Sequence, residues 1–345
     1  MFKKHACVQA LVILLALITT TAMSDSLTPE KASRPGTAVS HTARQARPIS
    51  LGTSGGSVTD LANGYCCSGT LGALVKDAAG VQYILSNTHV FAGDSAMGGN
   101  GAVSKVGDYI DQPGFVDVSC AKIPDDYVAN LSNWVPMVPG GTGTVDAAIA
   151  RVIPGMVDPS GKILEIGTIS AQPLAAAVGQ LVKKSGRTSG LTKGKVAGLD
   201  ATITVSYENE CAGSPYTTTF NGQILVTPGN FLKAGDSGSL MVENAASNPR
   251  AVGLLYAGSS KVAVANPIQD VLNTFNVTMV GTGSVGGTTT MDTTSPAFGK
   301  ASASKAKHAA RLMRTPNAIG HAVGMYGNKA VIKLIVEKIT PETLK

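Results

Sequence analysis

Three short segments of the chain carry residues that together could cleave an acyl bond. In chain order these segments are Ser86-Asn87-Thr88-His89-Val90, Asp146-Ala147-Ala148-Ile149-Ala150 and Gly235-Asp236-Ser237-Gly238-Ser239. A serine hydroxyl is a nucleophile at neutral pH only beside a general base, and an imidazole base needs a carboxylate that fixes its tautomer. Ser237, His89 and Asp146 are predicted to fill these roles. His89 is the only histidine between residues 42 and 307, so the core has no other imidazole to use.

The Gly235-Asp236-Ser237-Gly238 run is the most specific of the three signals. Glycine on each side of the Asp-Ser pair lets the backbone turn tightly, so that the hydroxyl projects and the amides of Gly235 and Ser237 can point at a developing oxyanion. The same string also occurs in ordinary turns. Its place directly before the apolar run Ser239–Val242, and after the His and Asp segments, favours the chemical interpretation.

The rest of the sequence predicts the strands that must position these segments. Charged residues make up 14% and hydrophobic residues 43% of the chain, with 40 Gly and 17 Pro, which favours an all-β protein with many turns over a helical bundle. The short apolar or β-branched runs are Thr70–Val75, Val81–Leu85, Asp146–Val152, Ala201–Tyr207, Gly222–Val226, Ser239–Val242, Ala251–Tyr256 and Lys261–Ala265. One short C-terminal helix is predicted at Pro267–Asn276, whose apolar residues follow the spacing of a single helix face.

These motifs resemble those of the trypsin/chymotrypsin-like serine peptidases, in particular the bacterial secreted, α-lytic-protease-like branch. The matching features are the His-Asp-Ser order, Cys67-Ser68-Gly69-Thr70-Leu71 before the histidine, the Gly-Asp-Ser-Gly-Ser run, and Lys184-Ser185-Gly186-Arg187-Thr188-Ser189-Gly190 followed by Gly194. The resemblance extends from Cys66 to Phe275. It implies two packed six-stranded antiparallel β-barrels, residues 57–160 with His89 and Asp146 and residues 161–278 with Ser237, and a site in the cleft between them.

The resemblance also implies roles for residues around the site. Lys184 or Arg187 is expected to neutralise Asp236 and so to hold the oxyanion loop. Tyr256 stands where the family has the serine that supports the catalytic aspartate, and a phenol could donate the same hydrogen bond.

A specificity pocket is placed by the same resemblance. In trypsin-like enzymes the base of the pocket lies six residues before the nucleophile, at Phe231 here, with Leu232 beside it and Tyr256 and Gly258 on the opposite wall. A basic side chain entering such a pocket would lose its hydration without gaining a carboxylate partner. The pocket is therefore expected to be shallow and apolar, and to favour small or aliphatic residues before the cleaved bond.

Residues 1–24 have the pattern of a secretory signal peptide. Lys3 and Lys4 precede the apolar stretch Ala6–Ile18, which is too short to span a bilayer. A secreted or periplasmic location follows. The four cysteines after the signal are then expected to form two disulfides, with Cys66 and Cys67 separately joined to Cys120 and Cys211 in either order. A zinc site is disfavoured, because no pair of C-x-x-C motifs is present.

The remaining segments are expected to lie outside the two barrels. Residues 25–56 are interpreted as a flexible leader or propeptide, and residues 279–299 as a Gly/Thr-rich linker. Residues 300–345 form a basic extension, with a helix predicted at Ala301–Met313 and a hairpin of Ile319–Tyr326 and Ala330–Val336. This extension holds nine Lys and Arg against two Glu, so it accounts for the net charge of +6.

The sequence as a whole therefore predicts a secreted serine endopeptidase that acts on peptides or proteins and needs no metal or organic cofactor. A non-catalytic peptide-binding protein on the same fold is the alternative. A third possibility, a surface adhesion module, rests only on the basic tail and the Gly/Thr-rich linker. The tail could make weak contact with polyanions, although a solvated tail is the more ordinary interpretation of its charge. Nucleic acid is disfavoured as a partner because aromatic residues make up only 5% of the chain, and no membrane span is expected.

Overall fold

The computed structural model describes residues 3–4, 39–62, 65–93, 104–207, 215–283, 296–326 and 329–336. The strands in these ranges are β1 (Lys3–Lys4), β2 (Thr53–Ser57), β3 (Leu61–Ala62), β4 (Tyr65–Cys66), β5 (Gly69–Leu71), β6 (Ala73–Lys76), β7 (Gln82–Ser86), β8 (Tyr109–Asp111), β9 (Tyr127–Trp134), β10 (Thr142–Gly143), β11 (Ala148–Val152), β12 (Leu181–Gly186), β13 (Gly190–Tyr207), β14 (Tyr216–Thr227), β15 (Leu240–Glu243), β16 (Ala251–Gly258), β17 (Ala263–Pro267), β18 (Thr278–Met279), β19 (Ala318–Tyr326) and β20 (Lys329–Val336). The helices are α1 (Thr88–Phe91), α2 (Ile268–Phe275) and α3 (Pro296–Leu312).

The first barrel is a closed antiparallel ring. β2 pairs with β5 and β8, and the ring continues from β6 through β7, β11 and β9 back to β8. Only Gly72 separates β5 from β6, so these two count as one bent strand and the ring has six. Side chains such as Leu74, Ile84 and Ile149 alternate into its interior, where they form the main hydrophobic core.

The second barrel closes in the same way. β12 pairs with β13 and β15, and the ring continues through β14, β17 and β16. Two six-stranded antiparallel barrels, the chymotrypsin-like arrangement that the sequence predicts, are therefore confirmed. The predicted C-terminal helix is α2, which buries Ile268, Val271 and Leu272.

Residues 39–56 belong to the folded part of the chain, although the sequence assigns them to a flexible leader. Ile49 and Leu51 are completely buried in the first core, and Thr53–Ser57 is a barrel strand. Polar and small residues dominate this segment, and such a composition is typical of a flexible leader. The buried aliphatic side chains that hold it in the core are only Ile49 and Leu51. The predicted signal peptide lies outside the described residues except for β1, which pairs with β4 in a small sheet that also contains β3.

The basic extension is joined to the second barrel instead of lying apart from it. The hairpin of β19 and β20 adds to the sheet through pairing of β19 with β13, and α3 packs against the hairpin. Lys305 is buried and contacts Asp200, with its Nζ 2.7 Å from Oδ2. Of the predicted linker, residues 284–295 lie outside the described residues, whereas Met279 in β18 is buried.

One disulfide joins Cys66 to Cys120. Cys120 lies two residues after the short 3-10 turn Phe115–Val118, so the bond connects this turn to the end of β4. Cys67 is disulfide-bonded as well, but the predicted partner Cys211 lies outside the described residues. Within those residues, no helix has both the length and the apolar character needed to cross a membrane.

Candidate active site

His89 and Asp146 come from neighbouring strands of the first barrel. His89 lies in α1, directly after β7, and Asp146 lies just before β11, which pairs with β7 through Ala148 and Ser86. The antiparallel register thus brings the end of one strand beside the start of the other. His89 Nδ1 lies 2.5 Å from Asp146 Oδ2, and the His89 amide donates to Oδ1 at 3.3 Å. Both side chains are buried.

This pairing determines what the imidazole can do. When Nδ1 carries a proton toward the carboxylate, Nε2 is left as an acceptor. His89 Nε2 is buried and has no hydrogen-bond partner among the described residues. The ring is therefore fixed at one nitrogen and available at the other, which is the arrangement that a general base requires.

Two asparagines hold the backbone of Asp146. Asn266, in β17 of the second barrel, accepts from the Asp146 amide at 3.1 Å and donates to the Asp146 carbonyl at 3.0 Å. Asn87 also donates to that carbonyl, at 2.7 Å. Both barrels therefore fix the backbone of Asp146. Neither asparagine has a predicted role in the site. The sequence signal for Asn266 is a polar residue directly after the apolar run Lys261–Ala265.

Tyr207, at the end of β13, provides the phenol that supports Asp146, a role that the sequence predicts for Tyr256 instead. Its hydroxyl donates to Asp146 Oδ2 at 3.0 Å, and burial followed by the Asp146 charge raises the tyrosine pKa well above its usual value. The predicted candidate, Tyr256, is also buried and its pKa is also raised by burial, but its hydroxyl has no partner among the described residues. Tyr207 therefore replaces Tyr256 as the donor to this carboxylate.

Ser237 lies in a tight loop that packs against β5 of the first barrel. Gly235 and Gly238 have positive φ angles of 90° and 91°, which explains the need for glycine on both sides. Thr70 in β5 donates its amide to the Ser237 carbonyl at 2.8 Å and its hydroxyl to the Gly235 carbonyl at 3.0 Å. A Cβ on Gly69 would lie 2.9 Å from the Ser237 carbonyl and 2.5 Å from Val90. Gly69 thus brings the Ser237 loop close to the segment that carries His89.

The Ser237 hydroxyl and the His89 ring are not hydrogen-bonded to each other in this structure. Ser237 Oγ donates instead to the Tyr256 carbonyl at 3.3 Å. Bonds between nucleophile and base are often long or absent before substrate binds, so this geometry is compatible with a catalytic pair. The amides of Gly235 and Ser237 donate no hydrogen bond within the described residues and remain available to a ligand.

The Asp236 side chain is completely buried and is surrounded by polar partners. Lys184 Nζ lies 3.0 Å from Asp236 Oδ2, and both side chains have no exposed surface. The carboxylate also accepts from the amides of Thr188, Ser189 and Lys233. Burial lowers the pKa of Lys184, while the Asp236 charge opposes that shift.

Arg187, the other cation considered for Asp236, binds elsewhere. Its guanidinium makes two bonds to Asp117, at 2.7 and 2.6 Å, and Asp117 lies on the turn Phe115–Val118 of the first barrel. A planar guanidinium and a carboxylate match in this two-point geometry, so Arg187 connects the two barrels.

The predicted pocket residues are in the second barrel. Phe231 is buried in a core cluster, and a Cβ on Gly194 would lie 2.9 Å from its ring. Leu232 is close to Gly258, since a Cβ there would lie 3.0 Å from Leu232 Cδ2. The Tyr256 ring packs edge-on against Phe220 at 5.1 Å. The side chains at these four positions include no charged group.

Two closed six-stranded barrels, with histidine and aspartate from the first and serine from the second, form the architecture of the chymotrypsin-like serine proteases. At the family level, the model of the Nal1 C-terminal domain matches residues 98–294, more than half of the chain, and the chain belongs to that family. The match includes Asp146 and Ser237 and begins after His89. Comparison with curated proteins gives no match.

Several solved structures of bacterial proteases resemble this chain at low sequence identity. They include a glutamic-acid-specific serine protease (18% identity, covering 67% of this chain and 100% of that chain, TM-score 0.42), Thermobifida fusca protease A (17%, 62% and 92%, 0.41) and Cellulomonas bogoriensis chymotrypsin (17%, 68% and 99%, 0.42). The double barrel of the present chain is defined by its own strand pairing.

Proposed function

We propose that this protein is a secreted serine endopeptidase. The observation that supports this most directly is the buried His89–Asp146 pair, in which Nδ1 is engaged at 2.5 Å and Nε2 is left without a partner. The loop of Ser237 packs onto the strand next to this pair, and two amides beside the hydroxyl are unoccupied. Secretion is supported by the disulfide between Cys66 and Cys120, because such bonds persist in oxidising compartments.

In the proposed mechanism, Ser237 Oγ attacks the carbonyl carbon of the cleaved peptide bond and His89 Nε2 takes its proton. Asp146 orients the ring and stabilises the imidazolium that forms. The amides of Gly235 and Ser237 bind the oxyanion. His89 then gives the proton to the leaving amine, and water hydrolyses the acyl-enzyme by the same steps with His89 again acting as base.

A covalent probe tests this mechanism. The signal-free protein should react with a fluorophosphonate at Ser237, and Ser237→Ala should abolish both labelling and peptide hydrolysis. Asp146→Asn should remove most activity as well, because the triad acts as a unit. A folded wild-type protein that neither reacts with the probe nor cleaves a peptide library would refute the proposal.

A non-catalytic peptide-binding protein is the second candidate. The observation that favours it is the bond from Ser237 Oγ to the Tyr256 carbonyl, which engages the hydroxyl away from His89. In that case, Ser237→Ala would bind extended peptides as tightly as the wild type, and neither form would cleave them.

Substrate preference is expected to exclude basic residues. Phe231, Leu232 and Gly258 provide no carboxylate, and an ammonium or guanidinium placed among them would be desolvated without a partner. We therefore expect kcat/KM to be higher for matched chromogenic peptides ending in Ala, Val or Leu than for one ending in Arg. A preference for Arg by more than about tenfold would disprove this placement of the pocket.

A further inference from the structure

The two amides proposed to bind the oxyanion are aimed by the carbonyl groups of their own peptide units. In a planar trans peptide the C=O and the N–H point in opposite directions. A partner that holds the Ala234 carbonyl therefore aims the Gly235 amide, and a partner that holds the Asp236 carbonyl aims the Ser237 amide.

The Asp236 carbonyl is held by the loop itself. Ser239, three residues further along, donates to it from its amide at 3.0 Å and from its hydroxyl at 2.5 Å. This contact is local and forms whenever the turn forms. The Ser237 amide therefore needs no help from other parts of the fold.

The Ala234 carbonyl depends on a distant residue. Its donor among the described residues is the Thr188 hydroxyl, at 2.7 Å, from the turn between β12 and β13. Gly235 has φ near 90° in the turn that the Asp236 amide closes onto the Lys233 carbonyl at 2.9 Å. Because glycine occupies both signs of φ, the peptide between Ala234 and Gly235 could also adopt the flipped orientation, in which the amide points away from the cleft.

Thr188 is itself fixed by charged groups. Its amide donates to Asp236 Oδ1 at 2.8 Å, and Arg187 Nη1 donates to its hydroxyl oxygen at 3.2 Å. Because the oxygen accepts from Arg187, the hydroxyl proton is directed at the Ala234 carbonyl. Asp117 of the first barrel holds Arg187 in turn, so the aim of the Gly235 amide depends on both barrels.

We propose that Thr188 is a positioning residue of the oxyanion site: its hydroxyl holds the Ala234 carbonyl and thereby aims the Gly235 amide at the substrate oxygen. The inference rests on the proposed function, because an oxyanion forms only if Ser237 attacks a carbonyl. Nothing in the local sequence of the Gly-Asp-Ser-Gly loop indicates this dependence, since Thr188 lies 46 residues before Ala234.

The test compares Thr188→Val, which keeps the shape and removes the hydroxyl, with Thr188→Ser, which keeps the hydroxyl. Thr188→Val should lower kcat by about 10- to 100-fold with little change in KM, a smaller loss than the removal of an oxyanion donor itself. Its affinity for a peptide boronate, which forms a tetrahedral adduct, should fall by a similar factor. Thr188→Ser should stay within about threefold of wild type on both measures.

A purely structural role would give a different result. It would lower the melting temperature and the active fraction, measured by fluorophosphonate titration, without a matched loss of boronate affinity per active site. That outcome, or a Thr188→Val protein with wild-type kcat, would overturn the inference. If Thr188→Val does not fold, Thr188→Ala removes the same hydroxyl with a smaller side chain. A wild-type protein without hydrolysis would instead refute the proposed function, and the inference with it.

Discussion

At the scale of single residues, the site is organised around one buried carboxylate. Asp146 has no exposed surface, so its carboxylate oxygens depend on hydrogen bonds from the protein. It receives them from His89 and Tyr207, while the equally buried Tyr256 hydroxyl has no partner among the described residues. The two buried tyrosines therefore have different roles: the Tyr207 hydroxyl supports Asp146, and the Tyr256 hydroxyl does not. The kinetics of matched variants can measure this difference.

Tyr207→Phe is expected to reduce kcat. Hydrogen bonds to charged groups contribute about 1.5–3 kcal/mol, so loss of the phenol should lower kcat by about 3- to 13-fold if half of that energy supports the oriented His89–Asp146 pair. KM should change little. Tyr256→Phe is the matched control, because it removes a hydroxyl that has no hydrogen-bond partner in the described part of the chain, and it should leave kcat unchanged. Equal losses in the two variants, measured by steady-state kinetics, would argue against a specific role for Tyr207.

Lys184 is expected to limit activity at alkaline pH. Burial lowers its pKa, so the ammonium loses its proton below the ordinary value of 10.5 and the ion pair with Asp236 is lost as the pH rises through the lowered pKa. The loop of Ser237 then loses an anchor, and kcat/KM should fall on the alkaline side. Arginine stays protonated, so Lys184→Arg should shift this limb of the pH profile to higher pH. An unchanged limb would contradict the assignment.

Deprotonation of Lys184 should raise the stability of the fold, although it lowers activity. Between the lowered pKa and 10.5 the unfolded chain binds more protons than the folded chain, so the contribution of Lys184 to the free energy of unfolding rises with pH in that window. Activity should therefore decline without a fall in the urea midpoint. A parallel fall of both would indicate general unfolding instead of loss of the ion pair.

At the scale of elements, the two barrels meet at one bent strand. Gly72 separates β5 from β6 and is the point at which the strand bends. A Cβ at this position would lie only 2.0 Å from the carbonyl oxygen of Gly238, next to Ser237. Thr70, in the same strand, binds the carbonyls of Gly235 and Ser237. The strand therefore closes the first barrel and positions the loop of the second.

Gly72→Ala should be strongly destabilising. The added methyl group would overlap backbone atoms of another element, which cannot move as a flexible side chain does, and overpacking of this kind costs about 1–3 kcal/mol or more. Gly299→Ala is the control: this residue lies in α3 with no atom within 4 Å of its Cβ position, and alanine favours a helix. The urea midpoint should be lower for Gly72→Ala than for Gly299→Ala. A Gly72→Ala midpoint equal to that of the wild type would show that the contact with Gly238 can widen to accommodate the methyl group.

The elements differ in how far their sequence predicts them. Asp146–Val152 and Ser239–Val242 are apolar runs bounded by turn residues, and they become β11 and β15 within one or two positions. The run Ala201–Tyr207 is only the end of β13, which is 18 residues long, because its earlier half alternates polar and small residues that periodicity does not distinguish from a loop. Local sequence patterns predict where a strand lies, whereas the length of the strand depends on the strands that pair with it.

The same limit applies to the site. His89, Asp146 and Ser237 lie in motifs that can be recognised from adjacent residues. Tyr207 and Asn266 act on Asp146 from positions 61 and 120 residues away, and their contacts arise only when the barrels close. The resemblance offers Lys184 or Arg187 as the cation for Asp236 and cannot decide between them, because the partner of Arg187 is Asp117 of the other barrel.

At the scale of the whole molecule, the C-terminal extension completes the second sheet. β19 pairs with residues of β13 between Gly198 and Ile203, a few positions before Tyr207, and buries Ala322 and Val323 in the process. Two basic side chains of this extension bond to β13 instead of extending into solvent. Lys305 contacts Asp200, and Lys333 donates to the Ala197 carbonyl. Contacts with β13 therefore explain two of the nine basic residues in the extension.

Removal of residues 296–345 should destabilise the second barrel and reduce activity together. The deletion would expose one edge of β13 and the apolar side chains that now pack against the hairpin, and edge strands of this kind pair with other chains. Because β13 carries Tyr207, loosening it should also weaken the support of Asp146. The measurements are the thermal midpoint, the monomer fraction by size exclusion and kcat/KM.

Lys305→Met provides the matched control for this deletion, since it removes the ion pair with Asp200 but keeps the hairpin in place. The substitution should change the thermal midpoint much less than the deletion does, because the hairpin contributes strand pairing and apolar burial in addition to this one charge pair. A truncated protein that keeps the midpoint, the monomeric state and the activity of the full chain would mean that the extension is an independent module and that β13 is stable without it.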